Sequence, residues 1–424
     1  MKLLWYAMCS LFITQTKVKG CIYDGFKVYE LTSKIHSSAL DLYRMVKNES
    51  QYVLLSGRGT IVMVHPEAQA EFLYLLENNQ WEHRVLNQDV GLDLSNAFET
   101  NRNLSNLYPY KGHAGTDRYY TFDEINRYIE DLAQQYPSRV FVKTVGKSYE
   151  GRTMKTIRIT NGDGRANKNV ILIDGGIHAR EWIAHAAVLY AIGELSNNYQ
   201  KHAQLLQDYD WVILPVVNPD GYEFTQLSAD NRFWRKTRQP INESCIGTDG
   251  NRNFDFHWNE TGAYWDPCST IYPGPKAFSE PETIVMRDLI QSLAGRGKMY
   301  LTLHSYGQYI LYPYGYTNAL PVTWRDLEEV ARAGANAIME ATGTRYKVGC
   351  SGSSIYPIAG ASDDYAFNAG FPISFTMELP PGGANKFDPP ASDIDRLVKE
   401  AWVGIEAMAR KVIQKYPLKE STVL

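Results

Sequence analysis

Four ionisable residues stand where apolar runs of this chain give out. Val170-Ile171-Leu172-Ile173 is uncharged and rich in β-branched residues, which predicts a buried strand. Gly175 and Gly176 end it, and His178 and Glu181 follow at once, with Arg180 and His185 beside them. Two further apolar runs end the same way: 300–303 runs into His304, and 373–377 runs into Glu378. Imidazole nitrogen and carboxylate oxygen both suit zinc, and a catalytic zinc takes three protein ligands with one position open. His178, Glu181 and His304 supply that set, provided the strands are neighbours. Glu378 is then left over as a general base, which metal-assisted hydrolysis needs within reach of the bound water. A His-x-x-Glu by itself is more often surface or capping chemistry, so the reading rests on three runs ending alike.

A second constellation lies between these runs. Arg232, Arg235, Arg238 and Arg252 crowd 231–252, and guanidinium groups pair with carboxylates in a bidentate fashion. An anionic substrate end is expected there.

These residues need a scaffold that brings strand ends together. From residue 117 onward, apolar strand patterns alternate with helical ones: VFVKTVG, KTIRIT, NVILIDG, a helix through HAAVLYAIGEL, DWVILPVV, a helix from Ser279, KMYLTLHS, a helix from Thr323, FPISFTMEL and a helix from Ile394. That order predicts an α/β domain, a mixed and mostly parallel twisted sheet flanked by helices, with ligands at the strands' carboxyl ends. Thr121 and Glu124 form a capping box that opens the domain's first helix. Ahead of it, residues 21–95 read β-α-β-β-α-β, a small ferredoxin-like α+β unit, either an inhibitory module or a substrate-binding one. Residues 96–116, rich in Asn, Gly and short polar side chains, read as an exposed connection of the kind proteases cut. Residues 1–20 carry a basic start, an apolar run from Leu3 to Ile13 and a polar end, the pattern of a signal peptide.

Composition narrows the class further. Hydrophobic residues make up 44% and charged ones 21%, enough to build a sizeable core. A net charge of −4 gives no reason to expect nucleic acid or an anionic membrane as partner, and no later run approaches a membrane span. Cys245 and Cys268 could bridge a polar loop in an oxidising compartment. Sequons at Asn48, Asn103, Asn242 and Asn259 are compatible with secretion.

With these residues in view, the chain resembles a known family. HAREW, NPDGYEFT, NRFWRKTR, DGNRNFD, LHSYGQYILYPYGY and FTMEL, in this order, are similar to the secreted zinc metallocarboxypeptidases of the pancreatic A/B type, which are made as zymogens. The likeness covers nearly the whole chain and implies a carboxypeptidase-like fold behind an inhibitory propeptide. It implies one zinc per chain on His178, Glu181 and His304, with Glu378 taking the proton of the zinc-bound water. Arg235 would steady the oxyanion, and Asn251, Arg252 and Tyr356 would clamp the substrate's terminal carboxylate. Arg180 and Tyr306 would be outer substrate contacts, and Asp249 would orient His178. It also implies a Cys245–Cys268 disulfide and a cis Ser305–Tyr306 peptide. The expected partners are peptide C-termini, an activating trypsin-like protease and the chain's own propeptide, with the enzyme a secreted monomer, digestive or otherwise extracellular.

The resemblance puts Asp363 at the base of the side-chain pocket, where an acid goes with C-terminal Lys or Arg (B-type) and an aliphatic residue with apolar ends (A-type). A shift by one would put Asp364 there instead. Ala361 replaces a usual glycine, Ser351 lines the same region, and Pro380-Pro381 follow the catalytic glutamate where charged residues are usual. For activation, Arg102 is the first choice and Lys111 the second. A catalytically silent binder on this fold should have lost Glu378 or a zinc ligand. A zinc deacylase need not carry the propeptide or the full carboxylate clamp.

Overall fold

A computed structural model describes residues 20–33, 51–55, 60–112 and 114–418. The expected signal peptide and the first helix of the N-terminal unit fall outside the described residues.

The larger sheet has eight strands: β5 (Val140–Lys147), β6 (Thr153–Ile159), β7 (Asn169–Gly175), β8 (Tyr209–Leu214), β9 (Gly297–Ser305), β10 (Tyr309–Tyr312), β11 (Lys347–Cys350) and β12 (Ile373–Leu379). Their order is β11-β10-β12-β9-β7-β8-β6-β5. β12, β9, β7 and β8 run parallel at the centre, and the edge on the β5 side is antiparallel. All seven residues of β7 are buried, as a strand covered on both faces must be. Its side chains alternate between two cores. Ile171 and Ile173 face the helices Trp182–Ser196 and Ala391–Lys415, whereas Val170 and Leu172 face the helix Pro281–Leu293. The capping box at Thr121–Glu124 is formed, opening the helix Phe122–Gln135. β10 and β11 have no counterpart among the expected strands, and the NPDGYEFT segment forms a helix, Pro219–Leu227. Both Ser305–Tyr306 and Pro313–Tyr314 are cis peptides, and Cys245 and Cys268 are bonded.

The N-terminal unit is a four-stranded antiparallel sheet of β1 (Lys27–Ser33), β2 (Tyr52–Leu54), β3 (Ile61–Val64) and β4 (Trp81–Asn87), in the order β2-β3-β1-β4. Residues 96–107, expected as part of an exposed connection, instead continue a helix spanning Val90–Leu107. Asp89 caps it by accepting from the Leu92 N–H at 3.1 Å, and Val90 and Leu94 are buried. No glycine or proline interrupts 92–108, and that local continuity outweighs a composition rich in asparagine.

This unit packs on the larger domain. Phe26, Val28, Leu55, Val90 and Leu94 form one core cluster with Phe233 and Phe387, and Tyr306 packs against it. Asn87 donates to Asn385 Oδ1 at 2.8 Å within the buried contact.

Candidate active site

β12, β9 and β7 lie side by side and parallel, so their carboxyl ends meet at one edge. Glu378 and His304 are register partners there, on β12 and β9. After β7 the chain turns at Gly176, whose φ of +72° favours glycine and where a Cβ would lie 2.1 Å from the His185 ring. The turn brings back His178 and then Glu181, one residue before the helix that begins at Trp182.

His178 Nδ1, Glu181 and His304 Nδ1 converge. The two nitrogens are 3.0 Å apart, and the Glu181 oxygens lie 2.8 Å and 3.0 Å from His178 and His304 respectively. All three residues are buried, and three atoms this close can share one ion at the ~2.0–2.1 Å bond lengths of zinc. His178 Nε2 donates to Asp249 Oδ1 at 3.1 Å, which leaves Nδ1 with its lone pair toward the cluster. The donor set and the tautomer fit a zinc ion.

The surrounding charges are tightly arranged. Burial alone would raise the Asp249 carboxyl, but Arg235, Arg252 and His178 outweigh it and hold the group well below the usual range. Glu181 behaves alike, with His178 and His304 outweighing its burial. Glu378 is pushed up to about 7, chiefly by burial, and its Oε2 has no hydrogen-bond partner among the described residues. Asp249 organises the guanidinium side as well. Its Oδ2 accepts from Arg235 at 2.9 Å and 3.2 Å, and its Oδ1 caps the Gly250–Arg252 turn through the Asn251 N–H at 3.0 Å.

Asn251, Arg252 and Tyr356 also come together. The Arg252 guanidinium donates to the Tyr356 hydroxyl at 3.2 Å, and Asn251 Oδ1 accepts from the Ser362 N–H at 2.9 Å. The two neighbouring aspartates part company. Asp364 accepts from the Gly315 and Tyr316 amides, at 2.8–2.9 Å and 3.3 Å. Asp363 faces β12, beside the Thr376 side chain, and is 2% exposed. Ser351 donates to the Tyr312 carbonyl at 3.3 Å, so its hydroxyl is already engaged. Arg180 lies over the Phe387 ring at 4.2 Å, and Tyr306 packs on the same ring at 4.9 Å, both toward the N-terminal unit.

Glu280 was not among the expected residues. It accepts from Thr237 at 2.6 Å and Thr248 at 3.0 Å, bracing the segments that carry Arg235 and Asp249. Its partners stand 43 and 32 positions away, and no local spacing betrays them.

Two imidazoles and a carboxylate gathered at the carboxyl edge of an α/β sheet, with a second carboxylate beside them, define a metallohydrolase. Residues 125–404 match the family model described as zinc carboxypeptidase. Carboxypeptidase B of Astacus astacus is 43% identical, the match covering 70% of this chain and 98% of that protein. Carboxypeptidase B of Helicoverpa zea is 37% identical over 96% of this chain and 98% of its own. The crystal structure of carboxypeptidase A from Helicoverpa armigera superposes with a TM-score of 0.85 at 31% identity, covering 93% of this chain and 99% of that one. The chain belongs to the zinc carboxypeptidase family and is a metallocarboxypeptidase acting on peptide C-termini.

Proposed function

We propose that this chain is a secreted zymogen whose activated form removes C-terminal Lys or Arg. The observation that carries the specificity is Asp363: a buried carboxylate beside Thr376 of β12 with no Lys or Arg partner among the described residues. Leaving such a group buried and unpaired is costly, and a cationic substrate side chain would relieve that cost. Asp364 is spent on backbone amides and is not free for this role. Similar proteins bear both A and B names, so the pocket is the better guide.

His178, Glu181 and His304 would hold the zinc. When bound, the ion supplies Lewis acidity, lowering the pKa of a water and polarising a carbonyl. Arg252, Asn251 and Tyr356 hold the free carboxylate of the substrate, which restricts cleavage to the last peptide bond. Arg235, fixed by Asp249, presents N–H groups where the carbonyl oxygen gains charge. Glu378 accepts a proton on its carboxylate and returns it to the leaving amine. Arg180 and Tyr306 line the approach.

The N-terminal unit acts as the inhibitor, since it covers that approach through Phe26, Leu55 and Leu94. Residues 1–20 serve as the leader, and among the described residues no helix is long and apolar enough to cross a membrane. For the activation cut we favour Lys111 over Arg102. Arg102 is exposed but lies inside the helix Val90–Leu107, whereas Lys111 is exposed and outside any helix or strand. A protease needs an extended segment. Amino-terminal sequencing after trypsin treatment should therefore find Gly112, and a terminus at Asn103 would restore Arg102.

The test of the whole reading uses trypsin-activated protein on two peptides differing only in a terminal Arg or Phe, with and without a chelator. Chelator-sensitive release of Arg over Phe is expected. Preferred release of Phe would overturn the basic-end assignment. No release from zinc-loaded, activated protein would overturn the catalytic reading.

A further inference from the structure

Behind Asp363 lies a second buried acid that the mechanism does not use. Asp174 is the sixth residue of β7, 0% exposed, and alternation sends it to the same face as Leu172. It pairs in register with Thr302 on β9, and Thr302 pairs with Thr376 on β12. An acid and two hydroxyls therefore form one row across three strands, directly below the row that carries His304 and Glu378. The Thr302 hydroxyl donates to Asp174 Oδ1 at 2.8 Å. Among the described residues, Asp174 Oδ2, the Tyr300 hydroxyl and Ser362 Oγ are buried without a hydrogen bond of good geometry, although Tyr300 lies beside both Asp174 and Ser362. Ser362 is the residue before Asp363, and Thr376 sits against Asp363 itself.

Two carboxylates thus share one enclosed polar layer, and among the described residues neither forms a salt bridge with Lys or Arg. A structural acid of this depth would ordinarily be paired or fully bonded. Asp174 has only hydroxyl neighbours, Thr302 and Tyr300, and no Lys or Arg among the described residues, and it adjoins the one place in the domain proposed to receive a cation from outside.

We propose that Asp174 is a positioning residue for recognition of the substrate's basic side chain: through Thr302, Tyr300 and Ser362 it orients the pocket layer around Asp363 and adds a second negative charge behind it. This rests on the basic-end reading above.

The test compares the activated holoenzyme with Asp174→Asn, which keeps the shape and removes the charge, and with Thr302→Val, which keeps the volume and removes the bridging hydroxyl. Zinc content and melting temperature are measured alongside kcat and KM on the Arg and Phe peptides. Asp174→Asn should lower kcat/KM on the Arg peptide by about tenfold. The loss should lie in KM, with kcat nearly unchanged and the Phe peptide affected less than about twofold. Thr302→Val should move the Arg-to-Phe ratio the same way by a smaller factor. Equal losses on both peptides would mean a merely structural acid and would overturn the proposal, as would an unchanged ratio in both variants. If one variant does not fold, the other decides. If wild-type enzyme favours Phe, the basic-end reading falls and takes this proposal with it. A wild-type preference for Arg whose size is unchanged in both variants removes this proposal alone.

Discussion

Replacing Asp363 by Asn isolates the charge proposed to select the substrate. Asn keeps the volume and the oxygen that accepts from the Asp364 N–H at 3.0 Å, so the helix start at Ser362 should be undisturbed. What goes is a negative charge in a site that is 2% exposed. Removing one partner of a buried ion pair costs about 3–5 kcal/mol. At about 1.36 kcal/mol per decade, kcat/KM on a C-terminal Arg peptide should fall between about 10² and about 10⁴-fold. A terminal Phe gains, because its ring no longer has to approach a buried carboxylate. Relief of about 1–2 kcal/mol corresponds to a rise of about tenfold. The assay is release of the terminal residue from two peptides differing only at that position, by activated enzyme of matched zinc content. A variant that retains the wild-type Arg-to-Phe ratio within about threefold would refute the reasoning. So would a parallel fall on both peptides, which would mean that the substitution had damaged the site rather than its selectivity.

Other outcomes follow from the same geometry. Glu378→Gln should retain bound zinc and lose turnover by about 10²-fold or more, checked by metal content beside single-turnover rates; near-normal rates would remove Glu378 as the base. Asp249→Asn, which weakens the acceptor for His178 Nε2 and discharges the Arg235 anchor, should lower zinc affinity by about 10–100-fold in a chelator competition. Burial raises Asp363, so the acid is neutral up to a higher pH than an ordinary carboxyl. The preference for Arg over Phe should therefore be full at high pH and fade as pH falls through that raised value. A ratio independent of pH down to the ordinary carboxylate range would contradict it.

The parts legible in the sequence share one physical trait: their signal is local. β7, β9 and β12 declare themselves as runs dominated by apolar residues because both faces of the sheet are covered. Each breaks into ionisable residues where it emerges from the core, so His178, His304 and Glu378 stand out before any strand order is known. The capping box at Thr121–Glu124 is likewise a matter of three residues' spacing. β10 was not legible, because YILY has only four residues and gains its partners solely by tertiary packing against β11 and β12. Whether Asp363 or Asp364 faces the sheet depended on a helix seven residues long, too short to show a period. Asp174 hid for the opposite reason: within an apolar strand a single acid looks like the strand's end, and only the register with Thr302 shows that it belongs to a layer.

The contact between the two units bears on how the site is opened. Arg232 is buried and donates from one guanidinium nitrogen to the Arg180 carbonyl at 2.7 Å and from another to the Phe387 carbonyl at 2.5 Å. That single side chain therefore ties the backbone between His178 and Glu181 to the loop that follows Glu378. Pro380 and Pro381 restrict the same loop at its start, and Pro389 and Pro390 at its end. The loop thus holds Phe387 between Arg180 and the N-terminal unit. Removing the unit exposes Phe387 and Phe233, at about 1.5–3 kcal/mol for each apolar side chain returned to water. On the reading proposed above, one cut after Lys111 leaves that apolar contact and the Asn87–Asn385 bond intact, because neither depends on the severed segment. Activity should then appear at the rate at which the unit dissociates or is degraded, and lag behind the cut itself.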